Sequence, residues 1–512
     1  MSMIFSVICG LRWMRVSQRE HYLSWSAFST ARRWFVSLPV ARGLAVLWGF
    51  LSLGAALLTL GGRAPAAAST GLVAAAVATI YPARMPLVGK PRLRLTRRAV
   101  TQFIISGVVF LLFELTLYLA GLLGLAMAIG PPAFVIAIDL GALANRPLED
   151  RRAKGYRVKA SRRLSAVDPR MVAITGSFGK TTVKGHLNDL LSESFSTVAT
   201  PGSWNNMAGI SRAINEYLTA DAEVFIAEVG TYGVGEIRDV VSWLRPEIVG
   251  ITGVGPVHLE RMGDISTIVR AKSEILQDAR VAVICVDSDE LDELARAALG
   301  EGRVKRLLTA ASNPMRVGSD VMTVVCSAGE GSVEQIAVRV GGREICRVDR
   351  QQLHASNVAT AVALALAVGL SEEAIAASIV KLGPATSRAT MSVSSRGVRV
   401  LDDTFNSNPA GAQAALESLC RSVPAARRVV VTPGMVELGA LQASANAAFA
   451  LAVSSSQCEL VIVGWTNRLA LLTGFPGAHL AANRENARQW VLDNLSEGDI
   501  VLWENDLPDH YP

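Results

Sequence analysis

Thr175-Gly176-Ser177-Phe178-Gly179-Lys180-Thr181-Thr182 is the stretch on which the fold of this 512-residue chain turns. It follows an apolar run, Met171–Thr175, that reads as a buried strand, and it opens a helical pattern over Thr181–Leu191. Strand, glycine-bearing loop and helix in that order make a phosphate-binding loop. Glycines let backbone N–H groups approach an anion closely, and the helix N-terminus favours negative charge. In that reading Gly176, Ser177, Gly179 and Thr182 line the phosphates, Lys180 reaches the β- and γ-phosphates, and Thr181 helps to hold Mg²⁺. The full pattern begins with a glycine, where this chain has Ile174.

Working outward, β and α signals alternate from about Asp168. Glu223–Glu228 and Ile248–Thr252 read as buried strands, Ser266–Leu276 and Asn357–Ala367 as helices, and Val338–Val348 as a hairpin around Gly341-Gly342. Such alternation predicts a mostly parallel sheet with helices on both faces. A second α/β unit starts near Arg388, with strands at Val398–Leu401, Arg428–Thr432, Leu460–Val463 and Ile500–Trp503.

The front of the chain differs. Apolar runs cover Leu44–Leu60, Ala66–Ile80, Phe103–Ala120 and about Leu125–Leu143, close to the length of about 20 residues that a bilayer span needs. Residues 1–163 carry 21 Lys+Arg against 5 Asp+Glu, whereas the remainder carries 29 against 39. The basic residues precede the first run, separate the second from the third and follow the fourth. The positive-inside rule then predicts four helices in two hairpins with both termini in the cytoplasm. Membrane topology accounts for the positive charge, and nucleic acid is not an expected partner. Glu114 and Asp139 lie within apolar runs, where they either face protein near a helix end, pair, or touch a ligand. The six cysteines form no CxxC pair and are scattered, which excludes a zinc ribbon and a disulfide scaffold and fits a reducing compartment.

Several segments after the loop resemble the Mur ligases, and among them most closely the UDP-MurNAc-tripeptide:D-alanyl-D-alanine ligases. They are Trp204-Asn205-Asn206 with Gly209, Ala227-Glu228-Val229-Gly230 with Gly235-Glu236-Ile237, and His258-Leu259-Glu260 with Ala271-Lys272-Ser273-Glu274-Ile275. Further on come Asp402-Asp403-Thr404-Phe405-Asn406-Ser407-Asn408-Pro409, with Phe405 in the family's tyrosine place, and Gly434-Met435-Val436-Glu437-Leu438-Gly439. The resemblance spans about Met171 to Trp503. It implies an α/β fold with a phosphate-loop central domain and a C-terminal Rossmann-like domain, behind a helical transmembrane region. The expected boundaries are residues 1–150 for the membrane region, 151–167 for a basic linker, 168–386 for the ATP-binding domain and 387–512 for the last domain.

The resemblance also implies roles. Lys180, Glu228, His258 and Lys272 are the expected catalytic residues, and Thr181, Glu228, His258 and a carbamylated Lys272 the expected Mg²⁺ ligands. Asn357, Arg388, Asp402 and Asn406 join the loop in binding ATP, and Asn205, Asn206 and Asn408 face substrate. The implied reaction is ATP-dependent: a carboxylate becomes an acyl phosphate and an amine then forms an amide, in cell-envelope polymer synthesis at the cytoplasmic membrane. A poly-γ-glutamate synthetase-like ligase and a non-catalytic membrane scaffold are the competing readings. Three features depart from the family. Apolar helices and a basic linker stand where it has a UDP-sugar domain. His354 lies three residues before Asn357 rather than four. The chain ends on an acidic stretch around Glu504, Asp506 and Asp509, which is expected to suit an amine-bearing substrate better than an acidic one.

Overall fold

The computed structural model describes the chain apart from residues 1, 21, 38, 85–92, 258, 317–321, 329–334, 350–352, 384–389, 405–407, 422–426, 508–510 and 512. It divides into two compact units, Met1–Arg152 with Val463–Arg468 and Asp506–Pro512, and Ala153–Ile462 with Leu469–Asn505.

The first unit is helical: α1 (Ser2–Arg19), α2 (Ser26–Ser37), α3 (Pro39–Leu60), α4 (Ala64–Arg84), α5 (Arg97–Leu119) and the start of α6 (Leu123–Val167). Three helices are long and apolar enough to cross a membrane, at Ala41–Leu60, Arg97–Leu119 and Leu123–Val167, while the apolar part of α4, Ala64–Ile80, is shorter. Phe50, Leu57, Ile104 and Leu112 turn outward from α3 and α5, an arrangement that water disfavours and lipid tails favour. The helices α1 and α2 were not legible as apolar runs because arginines interrupt both. They are nonetheless packed: Trp13, Met14, Val16 and Trp34 are buried in one cluster with Phe134 and Ile138 of α6. Asp139 is fully buried and accepts from the Ala27 and Phe28 amides at 3.3 and 2.9 Å, so it faces protein and caps α2. The stretch read as a basic linker is helical, because α6 runs on for 45 residues.

In the second unit, β1 (Arg170–Thr175), β2 (Thr197–Ala199), β3 (Val224–Glu228), β4 (Ile248–Ile251), β5 (Val281–Cys285), β6 (Arg306–Ala311), β7 (Met322–Ala328), β8 (Gln335–Val340) and β9 (Arg343–Asp349) form a sheet in the order 2-3-1-4-5-6-7-8-9. It is parallel through β7, and β8 and β9 close it as antiparallel strands. The helices between are α7 (Lys180–Leu191), α8 (Met207–Tyr217), α9 (Glu236–Leu244), α10 (Leu259–Met262), α11 (Ile265–Ser273), α12 (Asp289–Gly300), α13 (Ala355–Val368) and α14 (Glu372–Ile379). Successive residues of a strand point to opposite faces. Accordingly Met171, Ala173, Phe225 and Ala227 pack with α8, α9, α11, α12 and Ala160 of α6, and Val172, Ile174, Val224 and Ile226 pack with α7, α13 and α14.

A second sheet has β10 (Thr390–Val393), β11 (Arg399–Asp403), β12 (Arg428–Thr432), β13 (Glu459–Val463), β14 (His479–Ala481) and β15 (Ile500–Glu504) in the order 10-11-15-12-13-14. Its helices are α15 (Pro409–Arg421), α16 (Gln442–Ser455), α17 (Arg468–Gly474) and α18 (Arg484–Asn494). The strand β15 lies parallel between β11 and β12.

Candidate active site

Open parallel sheets bind ligands beyond the carboxyl ends of their strands. Here the loop after β1, the last residue of β3 and the loop after β4 meet at that edge. The phosphate loop is anchored by Ser177 N–H to Gly253 O at 2.7 Å and by Thr252 N–H to Thr175 O at 2.9 Å. Gly179 sits at φ 83°, where L-side chains are strained, and a Cβ there would lie 2.5 Å from Asn357 Oδ1. A Cβ at Gly176 would lie 2.2 Å from Thr252 Oγ1. These contacts require glycine at both positions and bring buried Asn357 of α13 to the loop. The Phe178 ring lies against Gly253 and Gly255, and the Ser177 hydroxyl donates to Gly255 O at 3.3 Å. Lys180 Nζ donates back to Gly176 O at 2.7 Å. The Thr182 side chain belongs to the buried part of α7.

Glu228 ends β3 and is 1% exposed. Its Oε2 accepts from Thr181 Oγ1 at 2.9 Å and from Lys184 Nζ at 3.1 Å, and its Oε1 accepts from Asn205 Nδ2 at 3.1 Å. The hydroxyl and the carboxylate are hard oxygen donors brought together beside the phosphate loop, so these residues fit a Mg²⁺ ion. Sequence reasoning paired Thr181 with Glu228 and missed Lys184. The signal was present: Thr181 and Lys184 are three residues apart and therefore share one helix face.

Lys272 ends α11 and is 3% exposed. Burial, and after it the charge of Lys180, hold its pKa well below the ordinary lysine value, with Glu236 acting the other way. The ammonium form is thus less favoured there than on an exposed lysine. The Glu236 carboxylate accepts from Thr231 Oγ1 and Tyr232 N, while Glu274 accepts from Gly235 N and Arg238 N and so caps α9. His258 lies outside the described residues, as do Arg388 and Asn406.

Other expected site residues have structural partners. Asn206 caps α8 by accepting from Gly209 N at 2.9 Å, and Asn408 caps α15 by accepting from Gly411 N at 2.9 Å. Asp402 at the end of β11 accepts from Thr404 N and Oγ1. His354 is the N-cap residue of α13. Beneath it His186 is buried, and burial followed by the His354 charge lowers its pKa to about 4. Of the acidic stretch at the end of the chain, Asp506 is exposed and Glu504 is not. Glu504 is fully buried at the end of β15 and accepts from Thr432 Oγ1, so its charge is not presented to a substrate. Asp509 lies outside the described residues. The Gly434–Gly439 loop reaches the central domain: Glu260 N donates to Glu437 O at 3.3 Å, and Arg261 lies 3.8 Å from the Glu437 carboxylate.

Residues 174–340 match the Mur ligase middle domain, and residues 388–504 match the Mur ligase glutamate ligase domain. The UDP-N-acetylmuramoyl-tripeptide–D-alanyl-D-alanine ligase of Escherichia coli is 29% identical over 54% of this chain and 60% of its own length. The Treponema pallidum ligase of the same description is 31% identical over 57% and 61%. The chain thus spans about three fifths of these relatives. In fold it is similar to the MurF ligase of Thermotoga maritima solved in complex with ADP, with a TM-score of 0.58 at 20% identity over 69% of this chain and 80% of that one. With both domain matches falling on the two sheets described above, and the first of them on the phosphate loop and Glu228, the chain belongs to the Mur ligase family.

Proposed function

We propose that this protein is a membrane-anchored, ATP-dependent ligase that joins a carboxylate to an amino-acid or peptide amine in cell-envelope polymer synthesis. The observation that carries the reading is the Thr181–Glu228 pair beside the phosphate loop at one sheet edge, with buried Lys272 near enough to feel the charge of Lys180. Loop amides and Lys180 would bind the phosphates of ATP. Thr181 and Glu228 would hold Mg²⁺, with His258 and a carbamylated Lys272 serving a second ion. When bound, the metal supplies positive charge against the phosphate oxygens. A substrate carboxylate oxygen attacks the γ-phosphorus and ADP leaves. The amine nitrogen then attacks the acyl carbon, the acyl–phosphate C–O bond breaks, phosphate departs and the amine loses a proton. The chain's own contribution is positioning and charge neutralisation.

The helix α6 favours a substrate held otherwise than in a dedicated sugar-nucleotide domain before β1. It ends at Val167, and β1 begins at Arg170. Its last turns are committed to the central core, with Ala160 fully buried, Trp243 Nε1 donating to Ser161 Oγ at 2.6 Å and Arg163 donating to Leu218 O. A membrane-linked or membrane-delivered carboxylate suits this arrangement.

The deciding experiment is ADP release by the purified full-length protein, screened against pools of candidate carboxylates and amines. Turnover that needs one member of each pool is expected. Saturable, tight binding of UDP-MurNAc-tripeptide with addition of D-Ala-D-Ala would refute the substrate part, and failure to bind nucleotide would refute the whole. For the anchor, cysteine labelling is expected to place residues near Arg94 on the cytoplasmic side. Labelling from outside the cell would contradict it.

A further inference from the structure

The pair formed by Lys184 and Glu228 is more buried than an ion pair needs to be for stability. The side chains are 6% and 1% exposed, and removing two charges from water costs as much as their attraction returns. A pair retained at that cost points to geometry. Lys184 lies one turn beyond Thr181 on α7, and both side chains meet the same Glu228 oxygen. The ammonium also donates to Gly202 O, in the segment that leads to Asn205. Asn205 in turn donates to the other Glu228 oxygen, and its own carbonyl accepts from Gly230 N at 2.7 Å. Thr200 Oγ1 accepts from Glu228 N at 3.1 Å. One lysine therefore joins three pieces of chain, the phosphate-loop helix, the end of β3 and the Thr200–Asn205 segment, at the carboxylate that fits a metal ligand.

We propose that Lys184 is a positioning residue for the metal–nucleotide site, fixing Glu228 in one orientation against the phosphate loop and tying the Gly202 segment to it. The proposal rests on the reading of Glu228 as a Mg²⁺ ligand. Lys180 and Lys184 then divide the work: the former serves the phosphates, and the latter serves the residue that meets their counter-ion. Groups that orient a metal ligand are worth about 10–100-fold in metal affinity when removed.

The test needs no turnover. A fluorescent, non-hydrolysable ATP analogue is titrated into the full-length protein in detergent, with and without Mg²⁺. In the wild type, Mg²⁺ is expected to tighten binding. In Lys184→Met that tightening should shrink about tenfold while metal-free affinity stays within about twofold, which also shows that the variant is folded. Glu228→Gln should lose the tightening by itself, and Lys184→Met added to it should change nothing further, because the lysine acts through the carboxylate. A full Mg²⁺ effect in Lys184→Met, an equal loss of metal-free binding, or additive effects in the double variant would each overturn the proposal alone. A wild type indifferent to Mg²⁺ would bring down the metal reading and the proposal with it.

Discussion

Two buried carboxylates, one in each unit, are held in opposite ways. Asp139 of α6 bonds to backbone amides at the start of α2, whereas Glu228 bonds to the side chains of Thr181, Lys184 and Asn205. Main-chain amides at a helix end have to be satisfied, so an acid that satisfies them is part of the architecture. Buried side-chain donors need partners as well, but they can be supplied from any element that the fold brings near. A carboxylate held by a hydroxyl, an ammonium and an amide from two other pieces of chain is oriented by them against the phosphate loop. The comparison teaches that equal burial can serve two ends: one acid finishes a helix, and the other joins the phosphate-loop helix to the segments around it.

The contrast can be broken where its effect is largest. Lys180→Ala should lower ATP turnover by about 10²–10³-fold without unfolding the protein, because it removes a preorganised charge from the phosphates. Wild-type turnover in this variant would end the assignment of the loop. Lys272→Ala should cost about 10²-fold, since it removes an expected ligand from the same edge, and short carboxylates added to the assay should restore part of the activity. Full activity without any rescue would remove carbamylation from the account.

His186 sharpens the comparison through pH. Its folded pKa is about 4 against an ordinary 6.5, so the unfolded chain takes up the proton first as pH falls. Stability present above about 6.5 should therefore be lost progressively down to about 4, by at most about 3 kcal/mol. His186→Met should flatten that acid limb in denaturant titrations, and an unchanged limb would assign it to other groups. The smallest effect belongs to the structural acid. Asp139→Ala should cost about 1 kcal/mol, the usual worth of a helix cap, and leave nucleotide affinity alone. A loss of nucleotide binding in that variant would erase the distinction between the two carboxylates.

The sequence was most informative where partners are close along the chain. The phosphate loop lies between its own strand and helix, and Gly179 and Lys180 could be assigned from those neighbours. Apolar length located α3, α5 and the start of α6 for the same reason. Long-range contacts were harder. Lys184 meets Glu228 44 residues away: its helix face was legible from Thr181, but the contact itself needed β1 and β3 to be paired. Glu504 looked like a terminal surface acid because nothing local shows that β15 is inserted between β11 and β12. The arginines of α1 and α2 hid helices that only the surrounding bundle explains.

That inserted strand also sets an order of events during synthesis. Every strand of the first sheet has emerged by Asp349, and the helices that cover it by Ile379. In the second sheet β11 and β12 are joined only through Ile500–Glu504, which follows the end of β12 at Thr432 by 68 residues. At roughly 5–20 residues per second the ribosome takes on the order of ten seconds over that stretch. Through that interval the Mur ligase middle domain can be complete while the second sheet still exposes two unpaired strand edges. A nascent chain of this protein is thus a finished phosphate-loop domain tethered to an unfinished sheet, a state in which a chaperone has something to hold.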